Sequence, residues 1–454
     1  MTSEAPSECF VYITLPGETQ AVTAGRFVLA VDRRGVPEGR FVYGRSYLER
    51  PNAVALDPVE LKLGSRNFST VALGGIFGAL RDASPDYWGR LVIQRHLGSA
   101  QPGEMAYLLF SPDDRAGALG FGLNQVPPAP RRSFNQTLDL AKLQASADAI
   151  ADDEGVTALA GAAAATARKP AAAEPWRQSV DTQAAQAADA AERERIGKLM
   201  MIGTSMGGAR PKAVVEDDAG LWVAKFNRPD DPWNNARVEH AMLQLARACG
   251  LVAAESRVVG IGGRDVLLVR RFDREKSAGG YRRARMVSAL TLLRAEDTWR
   301  ARDRWSYVLL AEELRRVCAD PARNAVELFR RMCFNALISN IDDHPRNHAV
   351  IARDQDWQLS PAYDLTPAAP IGQERRDLAM ACGDAGRLAS SSNLLSQCVR
   401  FLLERSQAEA IIAAMEQHVR ACWYATARGA GVSERDCERI ANAFVYPGFR
   451  GARA

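Results

Sequence analysis

One stretch, Phe334 to Thr366, constrains this chain more than any other: FNALISNIDDHPRNHAVIARDQDWQLSPAYDLT. An apolar run at helical spacing breaks into a loop dense in Asp, His and Asn, and a short hairpin then delivers another Asp. Two acidic groups and an amide, set by a helix end and a strand end, suit holding magnesium beside a transferring phosphate. Taken singly, Asp342 and Asp343 serve as well at a helix end or in a turn, and Asn347 as the start of a strand. The elements upstream have to decide.

At 454 residues the chain can bury a large core and is long enough for two or three domains. With 47% hydrophobic and 25% charged residues it is neither disordered nor membrane-like in composition. A net charge of +4 spread over this length is an ordinary soluble surface rather than a nucleic-acid footprint. No run approaches the roughly 18 apolar residues of a membrane-spanning helix. The polar opening MTSEAPSE is no secretory signal, and the eight scattered cysteines form no CxxC pair. A cytoplasmic protein with reduced core thiols is expected, with no membrane partner.

Residues 9–47 carry aromatic and β-branched runs bounded by Gly and Pro turns, the pattern of strands. Residues 74–98 predict a loop leading into an amphipathic helix opened by Pro85, and 105–122 a helix or buried strand, a turn and another strand. From 125 to about 198 the chain turns proline-rich, then alanine-rich, with few large apolar side chains. Helices at roughly 138–152 and 181–195 flank a mobile middle. Residues 199–274 alternate strand and turn around one helix, 238–251, which ends near Gly250. After 286 the spacing is mainly helical, with Ser406/Glu409 and Ser433/Asp436 as capping-box signals. The expected fold class is α+β. The expected divisions are a β-rich subdomain (1–125), an alanine-rich, partly flexible helical insertion (126–198), a nucleotide-binding lobe (199–274) and a helical catalytic lobe (275–454).

Asn347 follows Asp342 by five positions, the spacing at which protein kinases place the Asp that orients the hydroxyl nucleophile and the Asn that holds magnesium. Asp364 then stands after the hairpin, where the kinase magnesium-binding Asp lies. Lys225, in the apolar strand LWVAKFN, precedes Glu239 by fourteen residues, the order of the kinase lysine–glutamate pair. GTSMGGARPK (203–212) sets Gly203, Gly207 and Gly208 among hydroxyls and two cations, where backbone N–H groups could approach a phosphate. It lacks the GxxxxGK[ST] spacing of a Walker loop. His344 and His348 are four apart, but Pro345 between them argues against a helical zinc pair, leaving His344 to organise the loop.

These residues, with FVYGRSYL, SPDYWGRLV, LLVRRFDR, NIDDHPRNH and LSPAYDLTP, resemble the HipA-type serine/threonine kinases, toxins of bacterial type II toxin–antitoxin systems. The resemblance runs nearly the whole length. It implies a kinase fold, with a β-containing N-terminal subdomain and a helical C-terminal lobe, that uses ATP and Mg²⁺. Asp342 would be the catalytic Asp, and Asn347 and Asp364 would bind Mg²⁺. Lys225, Glu239, Gly207, Gly208, Arg270, Phe272 and His344 would surround the nucleotide. Arg270 stands where an acidic residue is expected, so adenine contacts there would be made by backbone. Ser205 matches the serine that HipA kinases autophosphorylate, with Thr204 beside it as an alternative. The implied partners are a HipB-like helix-turn-helix antitoxin, DNA only through that antitoxin, and a protein substrate such as an aminoacyl-tRNA synthetase. The competing readings are a catalytically idle co-repressor and a small-molecule or lipid kinase.

Overall fold

The structure, a computed structural model, describes residues 7–97, 102–130, 134–136, 139–145, 148, 210–368 and 375–451. The Gly-rich turn through Ser205, Gly207 and Gly208 lies outside the described residues, as does the helix expected at 181–195.

The opening strand pattern builds a five-stranded antiparallel sheet from β1 (Glu8–Thr14), β2 (Ala21–Val31), β3 (Pro37–Tyr43), β4 (Phe68–Thr70) and β5 (Leu119–Gly122), in the order β4-β3-β2-β1-β5. Alternation decides its faces: Cys9, Val11 and Ile13 point into the main core with Phe27 and Phe41. Between β4 and β5 the helices Gly78–Asp82, Tyr87–Leu97 and Glu104–Phe110 leave this sheet and reach the rest of the molecule.

A second five-stranded sheet has the order β6-β7-β8-β10-β9. It comprises β6 (Asn135–Gln136), β7 (Lys212–Asp217), β8 (Gly220–Phe226), β9 (Ser256–Ile261) and β10 (Arg264–Arg270). Part of the stretch assigned from sequence to the alanine-rich insertion is therefore built into this lobe. Asn135 and Gln136 pair parallel with β7, and Leu140 and Leu143 are fully buried beneath it. Alternation again sorts the strands. Trp222, Ala224, Phe226, Val266 and Leu268 form the outer face with Ala213 and Val215, covered by Trp88 and Val92. The opposite face carries Lys225 and Leu267 and meets the helix Asn235–Ala248 and the main core. That helix closes at Gly250, whose φ of +81° suits a residue without Cβ.

Trp88 is 2% exposed at the centre of the outer-face cluster. Trp88→Ala is expected to destabilise the fold by about 3–5 kcal/mol through the cavity left behind. The shift of the urea midpoint checks this.

Past the hairpin β11 (Arg274–Ser277)–β12 (Gly280–Arg283), a small sheet forms from β13 (Arg285–Ser288), β14 (Ala349–Ala352) and β15 (Gln358–Leu359). The remaining chain is helical, chiefly Tyr307–Val317, Pro321–Leu337 and Arg405–Gly429. The architecture is α+β. One cap differs from expectation: the helix Arg405–Gly429 starts two residues earlier, capped by Glu404 with Gln407 reciprocating, so Ser406 lies inside it. Ser433 does cap its helix, accepting from the Asp436 N–H. All eight cysteines are unpaired thiols. Among the described residues no helix is long and apolar enough to cross a membrane.

Candidate active site

Three carboxylates and two lysines converge where the second sheet faces the helical half. Lys225 comes from β8, on the face opposite Trp222 and Ala224. The helix Asn235–Ala248 is set by its N-cap, Asn234, which accepts from the Arg237 N–H. Its apolar residues Val238, Met242 and Leu245 are buried, and Glu239 rides inward with them at 8% exposure. Lys225 Nζ donates to Glu239 Oε1 at 2.6 Å and to Asp364 Oδ1 at 2.5 Å. Burial works against the ammonium, but Asp364 and Glu239 outweigh it and hold the Lys225 pKa above its ordinary value. Burial also pushes the Asp364 carboxyl up, yet Lys225 and then Lys212 pull it well below the usual range.

Asp364 arrives from the hairpin β14–β15. Ala362 is tied to the opposite lobe, with its N–H on Val252 O at 2.7 Å and its carbonyl accepting from the Ala254 N–H at 2.8 Å. Two residues on, Asp364 takes φ +60°, a left-handed conformation costly for a non-glycine and typical of functional positions.

The loop after the helix Pro321–Leu337 divides two adjacent aspartates. Asp343 is 1% exposed, and its Oδ2 carries three contacts: it accepts from Tyr307 Oη and from Asn335 Nδ2 at 2.7 Å and pairs with His348 Nε2 at 2.7 Å. That anchor leaves the preceding Asp342 exposed. The surrounding protein raises the Asp342 carboxyl above its ordinary value, Asp364 and Asp343 add to the rise, and His344 opposes it. Pro345 opens a short 3₁₀ turn, Pro345–Asn347, which folds Asn347 back so that its Nδ2 points to Asp342 O at 3.4 Å. The two side chains five positions apart thus share one turn. His344 is half-buried against Trp305, with ring centroids 6.4 Å apart.

The remaining predicted residues divide. Phe272 lies beside the cleft, its ring 5.6 Å from Tyr363, next to Asp364. Arg270 is register partner to Trp222 on the sheet's outer face, exposed and paired with Glu255 at 2.8 Å. Its side chain faces away from Lys225. Gly207, Gly208 and Ser205 lie outside the described residues. A groove of about 1000 Å³ lies elsewhere, lined by Gly250, Arg323, Glu327 and Trp357 and by none of these side chains.

Lys212 enters the sequence reading only as one of the two cations of the Gly-rich turn, and Asp86 not at all. Lys212 is the cross-strand partner of Lys225 and only 4% exposed. Burial lowers its pKa, opposed by Asp86, and it feels Lys225, Asp364 and Glu239. Asp86 Oδ2 lies 3.9 Å from Lys212 Nζ. The available signal was positional: Lys212 is the first strand residue after the Gly-rich turn, in hairpin register with Lys225.

A strand lysine clasped by a helix glutamate, beside an Asp-x4-Asn loop and a following Asp, is the frame of the kinase fold class. Residues 204–423, a little under half of the chain, match the profile of the HipA-like C-terminal domain. Over 154 residues the chain is 29% identical to Y4mE of Sinorhizobium fredii, a protein named as a kinase by inference. That match spans 33% of this chain and 37% of Y4mE, so the chain covers about a third of that relative's length. The fold resembles that of HipA from Shewanella oneidensis MR-1, solved with HipB and operator DNA, at TM-score 0.60 and 16% identity over 95% of both chains.

Proposed function

We propose that the protein is an ATP- and Mg²⁺-dependent serine/threonine protein kinase, acting as a growth-arresting toxin on the translation machinery. The observation that carries this reading is the convergence of Lys225, Glu239 and Asp364 within 2.6 Å contacts, beside an exposed Asp342 whose neighbour Asp343 is buried and tied to Asn335 and His348. Lys225, oriented by Glu239, would contact the nucleotide phosphates. Asp342 would orient the acceptor hydroxyl and take its proton as the new oxygen–phosphorus bond forms and the bond to the ADP leaving group breaks. Asn347 and Asp364 suit Mg²⁺, which favours oxygen donors and is held by one or two carboxylates together with substrate phosphates. Bound there, it would neutralise charge on the transferring phosphoryl group.

Phe272, next to Tyr363, would pack near the base. The solved complex of the Shewanella protein supports a HipB-like antitoxin partner, through which DNA would be reached. The test is transfer of labelled γ-phosphate from ATP by the full chain. Wild type and Asp342→Asn both inert would overturn the reading.

Autophosphorylation is expected on Ser205 or its neighbour Thr204. A phosphate in that turn adds close to two negative charges where the family resemblance puts the ATP phosphates, so it should shut the site. Peptide mass spectrometry after incubation with ATP locates it, and modification only elsewhere refutes this switch.

A further inference from the structure

The segment between Asp82 and Asp86, supplied by the N-terminal part of the chain, touches both sides of the cleft. Asp82 accepts from the Ser288 N–H and Oγ at 2.7 Å each and from Thr291 Oγ1 at 2.6 Å. Ser288 is register partner of Ala349, and the Ala289 N–H donates to His348 O at 2.8 Å, so this anchor sits at the exit of the Asp342–Asn347 loop. Four residues on, Asp86 meets the opposite lobe at Lys212. Both side chains of that pair are 5% exposed.

Asp86 has a plain structural role as well. Its Oδ1 accepts from the Gly89 N–H at 3.2 Å, capping the helix Tyr87–Leu97. A cap needs one oxygen, and Asn or Ser would provide it. The second oxygen, Oδ2, is buried and makes no hydrogen bond among the described residues. At 3.9 Å from Lys212 Nζ it is too far for a direct hydrogen bond but close enough to neutralise a buried ammonium. Without such a counter-charge, a lysine this buried would tend to lose its proton. Lys212, its Nζ paired with the Asp86 carboxylate but not hydrogen-bonded to it, stands on the strand face that presents Lys225.

We propose that Asp86 is a positioning residue that keeps Lys212 charged and aimed at the nucleotide phosphates, so that the phosphate side of the site is complete only while the 82–86 segment is docked. This rests on the kinase reading above and adds to it a dependence of nucleotide binding on the N-terminal part of the chain. Asp86→Asn separates the two roles, because the amide retains the capping oxygen and loses only the charge. The measurement is calorimetric titration of the full chain with Mg-ATP and, separately, with adenosine, which has no phosphates.

Asp86→Asn is expected to weaken ATP binding about tenfold, the loss of one charge-assisted contact, and to leave adenosine binding unchanged. Asp86→Glu, which keeps the charge, should recover most of the ATP affinity. Unchanged ATP affinity in Asp86→Asn would overturn the proposal. So would tighter ATP binding, which would make Asp86 a competitor for Lys212, or a parallel loss of ATP and adenosine, the mark of a structural cap alone. A wild-type chain that binds no ATP would instead overturn the kinase reading itself.

Discussion

Asp342→Asn should slow phosphoryl transfer by roughly 10²–10⁴, as removal of a positioned acid–base group does, while leaving nucleotide binding in place. The amide matches the carboxylate in shape, so the turn Pro345–Asn347 and the contact from Asn347 to the Asp342 carbonyl are retained. What is lost is the ability to take a proton from the acceptor hydroxyl. The lysine clasp does not depend on it: Lys225 is held by Glu239 and Asp364, and neither bond involves Asp342. Single-turnover transfer and ATP titration on the same preparation check both halves. A variant that transfers phosphate at the wild-type rate would remove Asp342 from the chemistry, and one that also loses ATP would make it a binding residue.

The division of labour between Asp342 and Asp343 shows what a sequence can and cannot carry. The step of five to Asn347 singles out Asp342 from spacing alone. That Asp343 ties Tyr307, Asn335 and His348 together depends on residues 36 and 8 positions upstream and 5 downstream, a meeting only the packed helices create. Strand alternation likewise made Lys225 legible as a residue aimed off its own core, because LWVAKFN has period two. The same alternation sends the Arg270 side chain to the outer face, and applying it to β10 in register with β8 would have shown this. The pairing of Lys212 with Asp86 was not legible. Their contact crosses from the first domain's helix start to a strand more than a hundred residues later, and nothing local in SPDYWGR distinguishes a helix cap from a buried counter-charge. Residues 140–145 are helical, inside the helix expected at roughly 138–152, but that Leu140 and Leu143 pack it against the second sheet was not legible, because the partners on that sheet lie some seventy residues or more downstream.

Asp273→Ala should be among the most destabilising single changes in the chain, at about 3–5 kcal/mol, because it strips the shared counter-charge from two buried guanidiniums. Asp273 accepts from Arg271 Nε at 2.9 Å and from both Arg271 and Arg274 terminal nitrogens at 2.7 Å, and its Oδ2 also takes the Gly117 N–H at 2.9 Å. The Arg271, Asp273 and Arg274 side chains are 0%, 3% and 2% exposed. The arginines reach on to backbone carbonyls of Asp114, Arg115 and Gly117, so this cluster clamps the turn before β5 of the first sheet onto the end of β10 in the second. One carboxylate serves two cations unevenly. Arg271 is held above its ordinary pKa, while burial and its neighbour push Arg274 well below. Burial pushes the Asp273 carboxyl up, but Arg271 and Arg274 outweigh it and leave it well below the ordinary range. A carboxylate depressed in the folded state contributes stability above its unfolded pKa of about 4 and loses it as the pH falls through the folded value. The gap between wild type and Asp273→Ala should therefore be full at neutral pH and narrow only in strong acid. Urea unfolding at a series of pH values measures it. Equal midpoints at neutral pH would mean that the two sheets are held together by apolar packing alone, with the buried ion cluster contributing nothing to their docking.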